Sequence, residues 1–541
     1  MSRWLEQTDL VRWRVEPPVL PGGLYQLLQE AFLRDPSKVA LETPDCPPMG
    51  YGELESLVER CRARLDACGI ERGDRVLVYV EKSPANVLLY LACLSQGAVY
   101  VPVNPAYTPM ELAAFVEDAG PRLVICDPPR RADVTDLLKD LGSLAMMATL
   151  RPDGMVILRT PPAQDSSSVG RRGPVGSDPA AILYTSGTTG APRGAVLTHR
   201  ALVANALALC RAWRFRPEDT LIHALPLFHT HGLFVALHCA LLSGASILFM
   251  SAFDSGAAMR LWRRATVFMG VPTHYTRLLS NPGLSVSVAE GMRLFTCGSA
   301  PLLPQTWEDF RLRSGHRIVE RYGMTEVGII TSNPYRGERV PGTVGYPLEG
   351  VEVRVVGETG AEPGPGVTGE LRVRSPGSFS GYLARPAETA RVVSADGWVA
   401  TGDLATLAGD GRVTLVGRSK DVIITGALNV HPSEVEAALN SLPGVVESAV
   451  FGAPHPDFGE GVVAAVVWDG DTHPSSARLQ KALTERLAGY KIPKRILITE
   501  HLPRNAMGKV QKTLLRSRNA GVFTSGPCRE EQRERRACRE S

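Results

Sequence analysis

The sequence predicts an α/β protein: a large N-terminal domain of α/β layers with a smaller β portion, plus a small mobile α+β C-terminal domain. Three observations carry this. Strand-like and helix-like patterns alternate through the first part of the chain, which implies a mostly parallel sheet covered by helices. At 541 residues the chain is too long for one core. From about Gly417 the texture changes to short strands around one or two helices.

The elements follow in order. In GELESLVERCRARLDACG, Leu54, Leu57, Val58, Cys61, Leu65 and Cys68 recur at helical spacing, and Gly69 is placed to end the helix. DRVLVYV reads as a strand, Ser83–Gln96 as an apolar helix and AVYVPVN as another strand. Thr108-Pro109 supplies a cap and a first-turn proline for MELAAFVEDAG, and RLVICD is the next strand. Arg159–Pro179 reads as a loop, and GETGAEPGPGVTGELRVRSPGSFSGYL as turn-rich and β-like. The expected boundaries are 1–416 for the N-terminal domain, 417–516 for the C-terminal domain and 517–541 for a disordered polar tail.

Composition narrows the function. Lys and Arg number 59 against 56 Asp and Glu, a net +3, too balanced for a nucleic-acid or membrane surface. No apolar run approaches the ~20 residues of a bilayer span, and MSRWLEQTDLVRWRVEPPVL lacks the apolar segment of a secretory signal. The ten cysteines form no C-x-x-C pair, which suits a reducing compartment, so the cytoplasm is expected.

Two motifs are decoys. Gly364–Gly369 matches G-x-G-x-x-G but runs into a strand rather than opening a helix. His229, His231 and His238 have no carboxylate or thiol at ligand spacing beside them. The stretch AAILYTSGTTGAPRGAVLTHRAL is different. A buried strand leads into Thr185, Ser186, Gly187, Thr188, Thr189 and Gly190, whose hydroxyls and flexible backbone N–H groups can nest phosphate oxygens. The P-loop pattern fails, because Pro192 stands where its second glycine belongs.

RYGMTEVG (Arg321–Gly328), ATGDLATLAGDGRVTLVGRSKDVIITGALNVHPSEVE (Ala400–Glu436) and PRNAMGKVQK (Pro503–Lys512) follow in order. With the loop, these stretches resemble the adenylate-forming superfamily of acyl-CoA synthetases over nearly the whole chain. The resemblance implies ATP, Mg²⁺ and CoA, with a small carboxylic acid as the acyl donor. It implies that Thr185–Gly190 hold the β- and γ-phosphates, that Thr325 touches the α-phosphate and that Glu326 holds Mg²⁺. Tyr322 and the segment Gly298, Ser299, Ala300, Pro301 would flank adenine. Asp403 would take the ribose hydroxyls with Arg418 nearby. Lys509 would bridge the reacting carboxylate and the α-phosphate, Lys420 would be the hinge, and Gly426 would line the pantetheine tunnel. Relatives usually carry Lys at the position of Arg193, so retained activity with altered ATP affinity is expected.

Two further stretches, HALPLFHTHGLFVALH and FMGVPTHYTRLLS, should line the acid pocket. They put His231 and Arg277 there, with His274 and Arg277 on one face of a helix opened by Pro272. Polar and cationic groups in a small pocket suit a second carboxylate, and these stretches resemble malonyl-CoA synthetases in particular. The expected reaction is ligation of malonate, with methylmalonate as near neighbour, to CoA. Another short or medium acid, or a carrier protein as acceptor, stays open.

Overall fold

The computed structural model describes residues 23–44, 46–151, 156–157, 173–186, 192–357, 359–426, 428–470, 472–505 and 508–523. The chain divides into two compact units: Met1–Val353 with Arg372–Ala400, and Arg354–Leu371 with Thr401–Ser541. The second unit therefore takes in Thr401–Val416 as well as the residues from Gly417 onward.

The first unit holds two large sheets. One has eight strands, ordered Gly381–Tyr382, Pro192–Thr198, Pro179–Ser186, Val99–Pro102, Arg75–Tyr79, Leu123–Cys126, Met146–Leu150, Val156–Ile157. From Pro179–Ser186 to Met146–Leu150 its neighbours are parallel, and the outer pairings are antiparallel. The strands RVLVY and LVIC bury nearly every residue, as a sheet covered on both faces requires. The helices expected between them form. Tyr51–Ala67 ends before Gly69 at φ +67°. Pro109–Ala119 opens on a reciprocal Thr108–Glu111 capping box.

The second sheet has nine strands, with Ser246–Phe249, Thr220–His223, Val267–Gly270, Leu294–Cys297 and Val319–Met324 parallel through its middle. Trp262, Phe268, Tyr275, Phe295 and Phe310 lock helices onto it, largely edge to face, at centroid separations of 5.0–6.2 Å. Burying each such ring contributes about 2–3 kcal/mol. Tyr275 also donates to the Thr296 carbonyl at 2.7 Å. This core fixes the carboxyl ends of the parallel strands, where α/β sheets put their ligands.

In the second unit, Val445–His455 and Gly459–Trp468 form a long antiparallel pair. Arg495–Thr499 joins it in parallel, and the short hairpin Ile423–Thr425/Leu428–Val430 pairs at Thr425. Helices Pro432–Asn440 and Ser476–Thr484 cover one face. The predicted start of a disordered tail at residue 517 is corrected. Helix Lys512–Arg518 continues through it, and Val522 and Phe523 pack against the apolar cluster around Phe451 and Leu515, because burying those two side chains outweighs the polarity of their neighbours. Residues 524–541 and most of the Arg159–Pro179 loop lie outside the described residues.

Candidate active site

The glycine-rich stretch falls between two paired strands. Strands Pro179–Ser186 and Pro192–Thr198 pair antiparallel with Thr185 opposite Arg193 and Ser186 opposite Pro192. Gly187, Thr188, Thr189 and Gly190 lie outside the described residues. At the hairpin's root stands Glu326, in the turn between Val319–Met324 and Gly328–Ser332. It is 5% exposed. Its Oε1 accepts a hydrogen bond from the Tyr382 hydroxyl at 2.9 Å and lies 3.5 Å from Thr185 Oγ1. Thr325, in the same turn, is half-buried. The Arg193 guanidinium lies 4.8 Å over the Tyr382 ring, and its Nη1 is 3.5 Å from Glu388 Oε2. Thr185, Arg193 and Glu326 are thus brought together as expected. Tyr382 and Glu388 were missed, because GSFSGYL carries only a turn signal.

The next group gathers at the carboxyl end of Leu294–Cys297. Gly298 is buried, Ser299 and Ala300 are half-buried and Pro301 is exposed. Ser299 adopts φ +71°, a conformation that non-glycine residues rarely hold outside functional turns. Its hydroxyl is 3.3 Å from His231 Nδ1. His231 opens a six-residue π-helical stretch, His231–Ala236, a form found mostly at functional sites. Burial, and next the charge of Arg321, hold the His231 imidazole well below its usual range, so it is neutral at ordinary pH.

Arg321 is the residue the sequence reading passed over. It is 5% exposed, and its Nε and Nη2 have no hydrogen-bond partner among the described residues. Burial pushes its guanidinium down to about 10. It packs so tightly on Gly298 that a Cβ there would sit 2.6 Å from the guanidinium carbon, so any larger residue would displace the guanidinium. Glu320, the preceding residue, is pushed up to about 8 by burial, opposed by the Gly342 N–H that donates to it at 3.2 Å. Tyr322 is buried in the same strand.

One premise about the acid pocket is corrected. His274 and Arg277 do sit on the helix Pro272–Leu279, but His274 is buried, stacked 4.0 Å from Phe253, whereas Arg277 is exposed. Three residues advance a helix by about 300°, so the two side chains diverge by about 60°, enough to straddle the edge of the core. Burial first, then the Arg277 charge, push His274 down to about 3.

The second unit carries its own cluster. Asp403 and Arg418 face each other across an antiparallel pair and form an ion pair, Nε to Oδ1, at 2.9 Å. Lys509 lies within their field: burial, then Arg418, push its ammonium down to about 8, against the opposing pull of Asp403 and Asp421. Lys420 sits in the 3-10 turn Ser419–Asp421 and also acts on Lys509. Gly426 has φ +57°, and its N–H donates to the Phe458 carbonyl at 2.9 Å. Among the described residues, no group of three or more His, Cys, Asp or Glu side chains could cage a metal. A buried carboxylate such as Glu326, within reach of a Ser/Thr hydroxyl, suits Mg²⁺, which binds through one or two carboxylates plus substrate phosphates.

Comparison with known proteins agrees with this arrangement. The AMP-binding enzyme family matches residues 28–383, and the AMP-binding enzyme C-terminal domain matches residues 434–509. The chain belongs to the AMP-binding enzyme family. Within it, this member has the fold and motifs of the adenylate-forming acyl-CoA synthetases. It is 44% identical to ATP-bound MatB from Rhodopseudomonas palustris, with a TM-score of 0.87 over 93% of this chain and all of that one. It is 34% identical to a malonate–CoA ligase of Mus musculus, over 84% of this chain and 83% of the relative. It is 35% identical to a feruloyl-CoA synthase of Amycolatopsis, over 86% and 93%. No helix among the described residues is long and apolar enough to cross a membrane.

Proposed function

We propose that the enzyme ligates malonate, and 2-substituted malonates such as methylmalonate, to CoA. In the first step a malonate carboxylate oxygen attacks the α-phosphorus of ATP and expels pyrophosphate. In the second the CoA thiol attacks the acyl carbon of malonyl-AMP and expels AMP. Neither step needs a protein nucleophile, so the protein contributes position and charge.

The residues take the following roles. The stretch from Thr185 to Gly190, with Arg193, holds the β- and γ-phosphates, and Thr325 meets the α-phosphate. Glu326 holds Mg²⁺, which neutralises phosphate charge when bound. Tyr322 and Gly298–Pro301 flank adenine, Asp403 and Arg418 hold ribose, and Lys509 spans the reacting oxygen and the α-phosphate. The C-terminal domain from Gly417 turns about Lys420 between steps and brings Gly426 to the pantetheine arm.

The observation that carries malonate is Arg321: a buried guanidinium without a carboxylate, beside neutral His231 whose Nε2 also lacks a partner among the described residues. Buried guanidinium groups require anions, and a second carboxylate supplies one. Arg277, exposed at the end of its helix, is the alternative cation for the same group. The similarity to a malonate–CoA ligase supports the same substrate; similarity to a feruloyl-CoA synthase keeps an aryl acid as the competing reading.

The test is acid-dependent pyrophosphate release with mass analysis of the CoA product, across malonate, methylmalonate, succinate, acetate, octanoate and benzoate. Malonyl-CoA should dominate. Arg321→Met should lower kcat/KM for malonate by about 100-fold or more, the cost of losing a buried charge pair, with Arg277→Met losing less. The reverse order moves the second carboxylate to Arg277, and turnover of monocarboxylates alone ends the malonate reading.

A further inference from the structure

We infer that Tyr382 is a positioning residue for the metal-binding carboxylate Glu326, and that Arg193 acts through Tyr382 rather than on phosphate alone. The inference rests on the ATP-dependent reading above but is independent of which acid is used.

The geometry is one continuous chain. Both hydrogen bonds that described residues direct to the Glu326 carboxylate end on Oε1, from Tyr382 at 2.9 Å and Thr185 at 3.5 Å. A carboxylate so held is fixed in rotation, and its other oxygen is committed to whatever ligand lies beyond. Tyr382 is itself held on several sides. Its backbone pairs with Ala195 on the outer strand of the hairpin, its N–H donates to Thr389 Oγ1 at 2.9 Å, and its ring packs edge-on against Phe379 at 5.0 Å.

Arg193 covers the open face of that ring. Its guanidinium lies 4.8 Å from the ring centroid and reaches Glu388 with Nη1 at 3.5 Å. A flat guanidinium can stack and fork at once; an ammonium can do neither as well. Arg193 therefore ties the strand leaving the phosphate turn to Tyr382, and Tyr382 ties it to Glu326. Glu388 has a second partner in Arg385 at 3.2 Å, so part of the Arg193 charge remains available to phosphate.

The experiment measures metal binding directly. Mn²⁺ replaces Mg²⁺, and free Mn²⁺ is followed by electron paramagnetic resonance during titration of the full-length enzyme with ATP. ATP affinity in EDTA and thermal unfolding are measured alongside. Tyr382→Phe keeps the ring and its packing but deletes the hydroxyl. It should weaken Mn²⁺ binding in the ATP complex about 10-fold, the usual scale for losing a partner of a metal ligand, while metal-free ATP affinity stays within about twofold. Arg193→Lys should weaken Mn²⁺ binding in the same direction. The double variant should be no weaker than the worse single variant, because both changes break one chain. Unchanged Mn²⁺ binding in Tyr382→Phe, or effects that multiply in the double variant, would overturn the inference. A wild-type enzyme that binds no Mn²⁺ with ATP would instead sink the ATP-dependent reading itself.

Discussion

Lys509 holds its charge under opposing influences, and that makes it the residue whose chemistry is most exposed to pH. Burial and Arg418 favour its neutral form, Asp403 and Asp421 its charged form, and the balance puts it at about 8 instead of the usual lysine range. Its proposed work, spanning two negative oxygens, needs the ammonium. The charged fraction is complete well below pH 8 and falls as pH rises through 8. kcat/KM for acyl-adenylate formation should therefore show a descending limb with a midpoint near pH 8, about tenfold per pH unit beyond it. Lys509→Arg should be slower throughout but lack that limb, since a guanidinium keeps its proton. A wild-type rate that stays flat past pH 9 would remove Lys509 from the role.

The helix Pro272–Leu279 shows how an element aims residues it does not itself stabilise. Its eight residues are too few for independent stability, and its C-terminal carbonyls fall to a neighbour. Arg313, on the helix Pro304–Ser314, donates to the carbonyls of Leu279, Asn281 and Leu284, the second at 2.8 Å. Arg313→Ala strands these acceptors in a partly buried place, at a cost of about 1–3 kcal/mol. Thermal unfolding should shift down by a few degrees. Because this helix carries His274 and Arg277, KM for the acid should rise several-fold while KM for ATP stays put; equal changes in both would show that the clamp only serves stability. Elements of this kind were legible in the sequence where the signal is local. Thr108-Pro109 and Gly69 punctuate helices through their own backbone preferences, and RVLVY and LVIC announce buried strands by composition. The ordered motifs singled out Thr185, Glu326, Asp403 and Lys509. Arg321 lies within one of these motifs, yet that its Nε and Nη2 have no hydrogen-bond partner among the described residues is a property of the packed core. Tyr382 meets Glu326 across 56 residues of chain, a pairing no local pattern encodes. Arg277 is exposed where its neighbour His274 is buried, because helical spacing says which residues are neighbours, not where the edge of the core falls between them.

At the scale of the whole molecule, one enzyme must serve two reactions whose demands conflict. In the proposed reaction, adenylation needs Lys509 beside the phosphate, whereas the thiol needs an open approach to the acyl carbon. The second unit already contains the parts of a switch: Asp403 and Arg418 precede the turn Ser419–Asp421, and Lys509, which feels both of them, follows it. Motion about Lys420 would separate Lys509 from Asp403 at the cost of an attraction and carry Gly426 with it, as hinge movements at a few residues do. Proline fixes φ near −65°, a value the described 3-10 turn accepts, so Lys420→Pro should retain this conformation and resist another. Acyl-adenylate formation should then remain within about threefold of wild type, while thioester formation falls at least tenfold and the acyl-adenylate accumulates on the enzyme. Quenched single turnovers with and without CoA separate the two steps. An equal loss in both would mean that the turn is merely a connector, and that the two reactions share one arrangement of the second unit.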